Sequence, residues 1–316
     1  MLLSAGGFAI YRGFLPIYKI LIPRFGPIEK RANREKILAT WLHSKGFRRT
    51  GLEPEQLSAS ILNSCRSGGD FIRIVMDSVA ESQHVSRWAV YDPDNVLHVK
   101  RVKRDISNAL FIHIIRDGRD IALSLKKMGG FSPLPWDRSE GNGLVSTALY
   151  WQWMVERGRA AGRLIPQDYI EIRYEDLVTH PQETLRVLGG FIDHDLDYER
   201  IKQAGLGRLS ETNSSFREEG SIEQIHPLGR WKERLSSADV AAIESAVSEC
   251  LEQNGYTLSR PSNSTGIRTS WMKFLYPTFL GSKLWLKQHT PVGRFANLSA
   301  LELEDEPMTV AETVRS

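Results

Sequence analysis

The segment from Ala109 to Met128, ALFIHIIRDGRDIALSLKKM, constrains the fold more than any other part of the chain. Residues 110–115 are almost all apolar or β-branched, which is typical of a strand buried on both faces of a parallel sheet. After a charged turn, apolar residues return at helical spacing at Ile121, Ala122, Leu125 and Met128. The segment therefore predicts a central strand, a turn and a helix, with Asp117 as the helix cap and Gly118 permitting the tight turn.

The turn at 116–120 has the features of an anion site. In open α/β sheets, ligands bind at the carboxyl ends of the strands, where helix N-termini offer N–H groups and a positive dipole. Arg116 ends the strand and Ser124 lies eight residues later, so a guanidinium and a hydroxyl could converge on one phosphate. The alternative is a solvated turn with two internal ion pairs.

Two segments resemble motifs of the sulfotransferases that use 3'-phosphoadenosine 5'-phosphosulfate (PAPS) as donor. FIHIIRDGRDIALSL, residues 111–125, resembles the family's 3'-phosphate motif, which implies that Arg116 and Ser124 bind that phosphate. RYEDLVTHPQETL, residues 173–185, resembles the family signature R-Y-E-D-L-V-x-x-P-x-x-T-L. That resemblance implies that Tyr174 contacts the adenine, although a buried structural tyrosine is the alternative.

A polar segment at 214–235 resembles the family's late loop, which closes over the nucleotide with serine, glutamine and basic side chains. By this resemblance Ser221, Gln224 and Arg230 are further donor-binding residues. Sulfuryl transfer also needs a base near the acceptor. At the position of the catalytic histidine in the cytosolic branch stands Asp94, so Asp94 and His98 are the candidates; the alternative is a turn that caps a helix from about Val96.

One family element is missing from the sequence: no strand followed by a P-x-S-G-T loop precedes Arg116. Cys65 to Gly69, CRSGG, resembles that loop only superficially, because Leu57 to Ser64 is predicted to be helical. We therefore expect a chain truncated at its N-terminus, without the first strand and the 5'-phosphosulfate loop. As written, it is expected to be poorly soluble and inactive.

The resemblance spans 88–256 and implies a three-layer α/β/α fold with a central parallel sheet, related to the P-loop kinases. We expect a sulfotransferase-like domain at 1–258, a basic aromatic helical extension at 259–299 and a disordered acidic tail at 300–316. Within the extension, residues 271–295 are expected to dock on the domain, with peripheral membrane contact as the alternative.

Composition argues against several classes of protein. The net charge of +3 does not indicate a nucleic-acid partner, and Cys65 and Cys250 indicate two buried free thiols rather than a disulfide framework or a metal site. No transmembrane helix is evident, because charged residues, glycines and prolines interrupt the apolar start of the chain, so the cytoplasm is the expected location.

The leading hypothesis is a metal-independent sulfotransferase. It moves a sulfuryl group from PAPS to a hydroxyl or amine of a small-molecule, carbohydrate or peptide acceptor. The alternative is an inactive nucleotide-binding or scaffolding pseudoenzyme that lost the 5'-phosphosulfate loop. A nucleotide kinase is less favoured, because the sequence lacks a G-x-x-x-x-G-K-[ST] loop.

Overall fold

A computed structural model describes residues 1–127, 133, 143–204, 228–259 and 267–303. The chain divides into two compact units. The first comprises 1–111, 192–206 and 285–316, and the second 112–191 and 207–284. The domain boundaries expected at 258 and 299 stay predictions.

Helices make up most of the described chain. The α-helices are α1 (Ile22–Phe25), α2 (Arg31–Leu42), α3 (Lys45–Arg48), α4 (Pro54–Ser64), α5 (Gly68–Ser82), α6 (Val99–Asp105), α7 (Gly118–Lys127), α8 (Gly143–Gly162), α9 (Tyr174–Thr179), α10 (Pro181–Ile192), α11 (Tyr198–Ala204), α12 (Trp231–Arg234), α13 (Ser237–Gln253) and α14 (Ile267–His289). The strands are β1 (Phe111–Ile115) and β2 (Tyr169–Arg173). None of the helices within the described ranges is long and apolar enough to cross a membrane.

The first unit is built on packed helices. Its core surrounds Trp41 and Phe71, which are fully buried and meet edge to face with ring centroids 5.3 Å apart. Arg34 is only 5% exposed, and its guanidinium donates to the carbonyls of Leu62 (3.0 Å) and Cys65 (2.8 Å). The arginine therefore satisfies carbonyl groups that the end of α4 leaves without helical partners.

The CRSGG segment is a connection between helices, as predicted. It follows α4, not a strand, and Ser67 caps α5 by accepting a hydrogen bond from the Asp70 N–H at 3.0 Å. Both cysteines are buried free thiols. Burial raises the pKa of Cys65 and of Cys250 to about 12, so neither forms a thiolate near neutral pH.

In the second unit, β1 and β2 pair in a small parallel sheet, two-stranded over the described residues. One face packs on α8, where His113 contacts Tyr169 (Nδ1 to Oη, 2.6 Å) and Tyr169 donates to Glu171 at 3.0 Å. Arg159 of α8 completes the network through its own bond to Glu171 at 2.9 Å. His113 is therefore a structural histidine with hydrogen-bonding partners in the sheet.

The expectation that residues 110–115 are buried on both faces is wrong. Leu110 is 41% exposed and Ile114 is 47% exposed. The reason is geometric: within the described residues the sheet has only two strands, and α8 covers the face that carries His113, opposite to Ile114. The segment YIEIRYEDL predicts a second strand over 169–177, but β2 ends at Arg173, because α9 begins at Tyr174.

The helix α13 ends in a turn at Gly255. This glycine has φ +72°, a left-handed conformation that favours residues without Cβ. The Gly255 N–H donates to Glu252 O (2.9 Å) and the Tyr256 N–H to Leu251 O (3.0 Å), which is the Schellman arrangement. The turn directs Tyr256 back towards the ends of the strands.

Candidate functional site

The candidate site of the second unit lies where β1 and β2 end. Arg116 follows β1, and its guanidinium lies 4.8 Å from the ring centre of Tyr174, which follows β2. The same guanidinium donates to Asp120 in α7 at 3.2 Å. Asp120 is almost fully buried, whereas the Arg116 side chain keeps 19% of its surface exposed. Asp120 therefore holds the Arg116 guanidinium in place, and part of the arginine side chain remains in contact with solvent.

Arg230 belongs to the same cluster. Burial lowers its pKa, and the nearby charge of Arg116 lowers it further, while Asp120 acts in the opposite sense. The two guanidinium groups are therefore close enough to disfavour each other's charge, while the carboxylate of Asp120 favours the charge of Arg230. A bound anion would relieve this repulsion, and a phosphate offers enough oxygens to bind both groups.

Asp120 also fixes the backbone around Arg230. Its carboxylate oxygens accept hydrogen bonds from the N–H groups of Gly229 and Trp231, each at 3.0 Å. Gly229 has φ +66°, which bends the chain into this position. One buried carboxylate therefore ties the start of α7 to the segment that carries Arg230.

Arg119 forms a second buried ion network beneath the turn. It is 2% exposed, donates to both carboxylate oxygens of Asp117 and to Glu244 Oε1 at 2.5 Å, and stacks 3.8 Å from the Trp231 ring centre. Burial alone would lower the pKa of Arg119, but Asp117 and Glu244 outweigh it and leave that pKa raised. The two internal ion pairs of the alternative hypothesis exist, but in a buried turn and not a solvated one.

The turn is closely packed as well as charged. Asp117 caps α7, as predicted, since its carboxylate accepts from the Arg119 N–H at 2.9 Å. Gly118 has no positive φ, so the predicted reason for this glycine is wrong. A Cβ at Gly118 would lie 2.6 Å from the Trp151 ring, so the glycine permits α7 to approach α8.

Glu175 joins the two strand ends. Its carboxylate accepts from the Asp117 N–H at 3.0 Å and from the Tyr256 hydroxyl at 2.9 Å. Burial raises the pKa of Tyr256, and the charge of Glu175 raises it further, so Tyr256 stays a hydrogen-bond donor. The carboxylate thereby stabilises the turn that Arg116 begins.

A sequence model described as the sulfotransferase family matches residues 20–198, more than half of the chain. The chain belongs to the sulfotransferase family. Comparisons with curated proteins and with solved structures gave no match. The family match contains both strand ends of the site. It begins well before residue 88, where the resemblance to the family's motifs begins.

Of the donor-binding residues predicted for this sulfotransferase, Arg116, Tyr174 and Arg230 lie together. Ser124 lies on α7, four residues after Asp120 and so on the same face of that helix. Ser221 and Gln224 lie outside the described residues. The roles of all six in binding stay predictions.

The predicted catalytic residues belong to the first unit. Asp94 forms an ion pair with Lys19, and His98 is 4% exposed. Burial, followed by the charge of Arg101, lowers the pKa of His98 to about 4. The turn proposed as the alternative is present, because Asp92 accepts from the Asp94 N–H at 3.0 Å, but α6 begins at Val99 and not near Val96.

Asp120 and Arg119 are the functional neighbours that sequence reasoning missed. Their partners Trp231 and Glu244 are more than 100 residues away in sequence, so no local pattern reports the pairing. The sequence carries one signal of their role. Arg119 and Asp120 lie in the first turn of α7, whereas the other charged residues of this helix, Lys126 and Lys127, lie at its end.

Proposed function

We propose that this sulfotransferase binds PAPS at the ends of β1 and β2 and transfers its sulfuryl group to an acceptor hydroxyl or amine. Arg116 and Ser124 would hold the 3'-phosphate, and Tyr174 would contact the adenine. Residues of the late segment would close over the nucleotide: Ser221, Gln224 and Arg230. The expected fold around this site is the three-layer α/β/α arrangement of the P-loop-kinase-like sulfotransferases.

The observation that carries the proposal is that one carboxylate, Asp120, accepts hydrogen bonds from the Arg116 guanidinium and from the backbone on both sides of Arg230, with the Tyr174 ring beside Arg116. A 3'-phosphate placed between the two guanidinium groups gains charge-assisted hydrogen bonds from both and removes their mutual repulsion. The Tyr174 ring adds a flat apolar surface of the kind on which a purine stacks. Charge and aromatic surface together fit a phosphorylated adenosine better than either would alone.

The transfer itself would be an in-line displacement at sulfur. The acceptor oxygen or nitrogen forms a bond to sulfur while the bond from sulfur to the 5'-phosphate oxygen breaks, and 3'-phosphoadenosine 5'-phosphate leaves. The acceptor proton passes to a base, for which Asp94 and His98 remain the candidates. A pKa of about 4 keeps the His98 imidazole neutral near pH 7 and also makes it a weaker base than an ordinary histidine. Lys19 forms an ion pair with the Asp94 carboxylate.

The acceptor is proposed only as a small-molecule, carbohydrate or peptide hydroxyl or amine. A cytoplasmic location stays a prediction.

Calorimetric titration tests the donor site. 3'-Phosphoadenosine 5'-phosphate should bind with micromolar affinity, about 8 kcal/mol, and adenosine 5'-phosphate more weakly. Arg116→Ala and Arg230→Ala should each weaken binding of the first ligand by about 100-fold, because each removes charge-assisted hydrogen bonds. Neither should change binding of the second, which lacks the 3'-phosphate. Arg163→Ala, at an exposed arginine after α8, is the matched control.

The outcomes separate the hypotheses. Equal losses for both nucleotides would contradict the assignment of the two arginines to the 3'-phosphate. Binding without transfer of labelled sulfate from PAPS to hydroxyl or amine acceptors would favour the nucleotide-binding pseudoenzyme. If transfer occurs, Asp94→Asn or His98→Gln should abolish it while leaving nucleotide affinity unchanged, and full activity in both variants would remove them as the base.

A further inference from the structure

The helix α14 carries an apolar stripe that faces outward. Among its described side chains, the large apolar residues between 37 and 71% exposed are Trp271, Phe274, Leu275, Phe279, Trp285 and Leu286. Counted from Trp271, the other five lie about 3, 4, 8, 14 and 15 residues along the chain, each three, four or a sum of these, so they share one face of the helix. Exposure of several neighbouring aromatic side chains is costly in water and marks an interaction surface.

The opposite face of α14 is docked. Tyr276 and Leu280, four residues apart, are each 4% exposed. On this side Lys283 Nζ donates to the carbonyl of Pro133 at 3.0 Å. Gly281 lies instead at the edge of the stripe, seven residues after Phe274 and four before Trp285, where its Cβ would lie 3.1 Å from an Arg157 nitrogen in α8. The helix is therefore anchored along the side that carries Tyr276 and Leu280, and the apolar stripe lies on a different side.

The charged residues in this part of the chain are all basic. Residues 253–301 contain no aspartate or glutamate. Their basic residues are Arg260, Arg268, Lys273, Lys283, Lys287 and Arg294. A helix with tryptophan, phenylalanine and leucine on one face, in a purely basic segment, has the composition of helices that lie in the interface of anionic membranes.

We propose that the exposed stripe of α14 rests on an anionic phospholipid surface, with its aromatic side chains in the headgroup region and the basic residues of 253–301 attracted to the lipid phosphates. Tryptophan suits this position, because its ring is apolar and its N–H can bind interfacial water or phosphate. A second copy of the chain is a poorer occupant, because pairing the stripes would bring two purely basic segments together.

Vesicle flotation tests the proposal. The full chain should float with phosphatidylcholine vesicles that contain about one quarter phosphatidylserine, and far less with phosphatidylcholine alone. The double variant Trp271→Ser/Phe274→Ser should lower the vesicle partition coefficient at least about tenfold, because it removes two side chains that insert. Leu164→Ser is the matched control, since Leu164 is 60% exposed but lies outside α14. Circular dichroism confirms that each variant remains folded.

Three results would overturn the proposal. Flotation that the double variant leaves unchanged would place the lipid contact elsewhere. Equal flotation with neutral and anionic vesicles would remove the electrostatic part. A chain that forms dimers by sedimentation, and that the double variant converts to monomers without any vesicle binding, would show that the stripe is an interface between copies.

Discussion

The carboxylate of Asp120 accepts a hydrogen bond from the backbone N–H of Trp231 at 3.0 Å, across more than 100 residues of sequence. The bond fixes the residue before Trp231, Arg230, beside Arg116. Asp120 therefore positions Arg230 through the backbone, and the same carboxylate accepts a hydrogen bond from the Arg116 guanidinium.

Replacement of Asp120 by alanine should be strongly destabilising. The change leaves two backbone N–H groups and the Arg116 guanidinium without their carboxylate, at a cost of about 2–4 kcal/mol in the free energy of unfolding. Chemical denaturation measures this cost. Asp195→Ala is the control, because the Asp195 side chain is 76% exposed in its ion pair with Arg200 and should lose no more than about 0.5 kcal/mol.

Gly118→Ala should destabilise the protein although alanine favours helices. The new methyl group would lie 2.6 Å from the Trp151 ring, and such overpacking costs about 1–3 kcal/mol. Gly190→Ala in α10 is the matched control: nothing lies within 4 Å of its Cβ, so it should stabilise by up to about 1 kcal/mol. Equal effects at the two glycines in urea titrations would contradict the close approach of α7 and α8.

Glu171 should contribute stability that acid removes. Burial by itself raises the pKa of Glu171, but its contacts with His113, Arg159 and Tyr169 bring it down to about 2, below the unfolded value of 4.5. The contribution is complete above about pH 5 and falls as the pH approaches 2, by about 2 kcal/mol at pH 3. The stability difference between wild type and Glu171→Gln should shrink accordingly, whereas Glu183→Gln, at an exposed position, should show no such change.

His98 should make the protein less stable as the pH falls, in a higher pH range than Glu171 does. Its folded pKa of about 4 lies below the unfolded 6.5, because burial and the charges of Arg101, Lys287 and Lys19 outweigh the attraction of Asp94. Unfolded chains bind the proton first, so stability is full above about pH 7 and about 2 kcal/mol lower at pH 5. His98→Gln should abolish this slope in denaturation measured across that range. His180→Gln, at an exposed histidine, should leave it intact.

The local elements around the site follow from sequence patterns. The apolar run of β1, the cap at Asp117 and the helical spacing of α7 depend on neighbours in sequence, and the structure contains all three. Strand burial does not follow, because Ile114 depends on what covers the sheet. The early start of α9 had an unused signal: Glu175 and Asp176 suit the first turn of a helix.

The meeting of Arg116 with Arg230 is a different kind of property. Resemblance selected both residues, but their proximity depends on Asp120 and on the fold of the residues between them. Hydrogen bonds that join residues 120 and 229 to 231 leave no trace in local periodicity. The same holds for the burial of Arg119, whose charge alone predicts a surface position.

The network of Asp117, Arg119 and Glu244 has a consequence for how this turn can evolve. Loss of Arg119 would leave two buried carboxylates without their shared cation, whereas loss of either acid leaves Arg119 paired with the other. Replacement of this arginine must therefore be accompanied by changes at both acids, and it cannot be lost in a single neutral step. In libraries randomised one position at a time, position 119 should tolerate almost nothing; randomised together with its two partners, it should yield apolar solutions that fold.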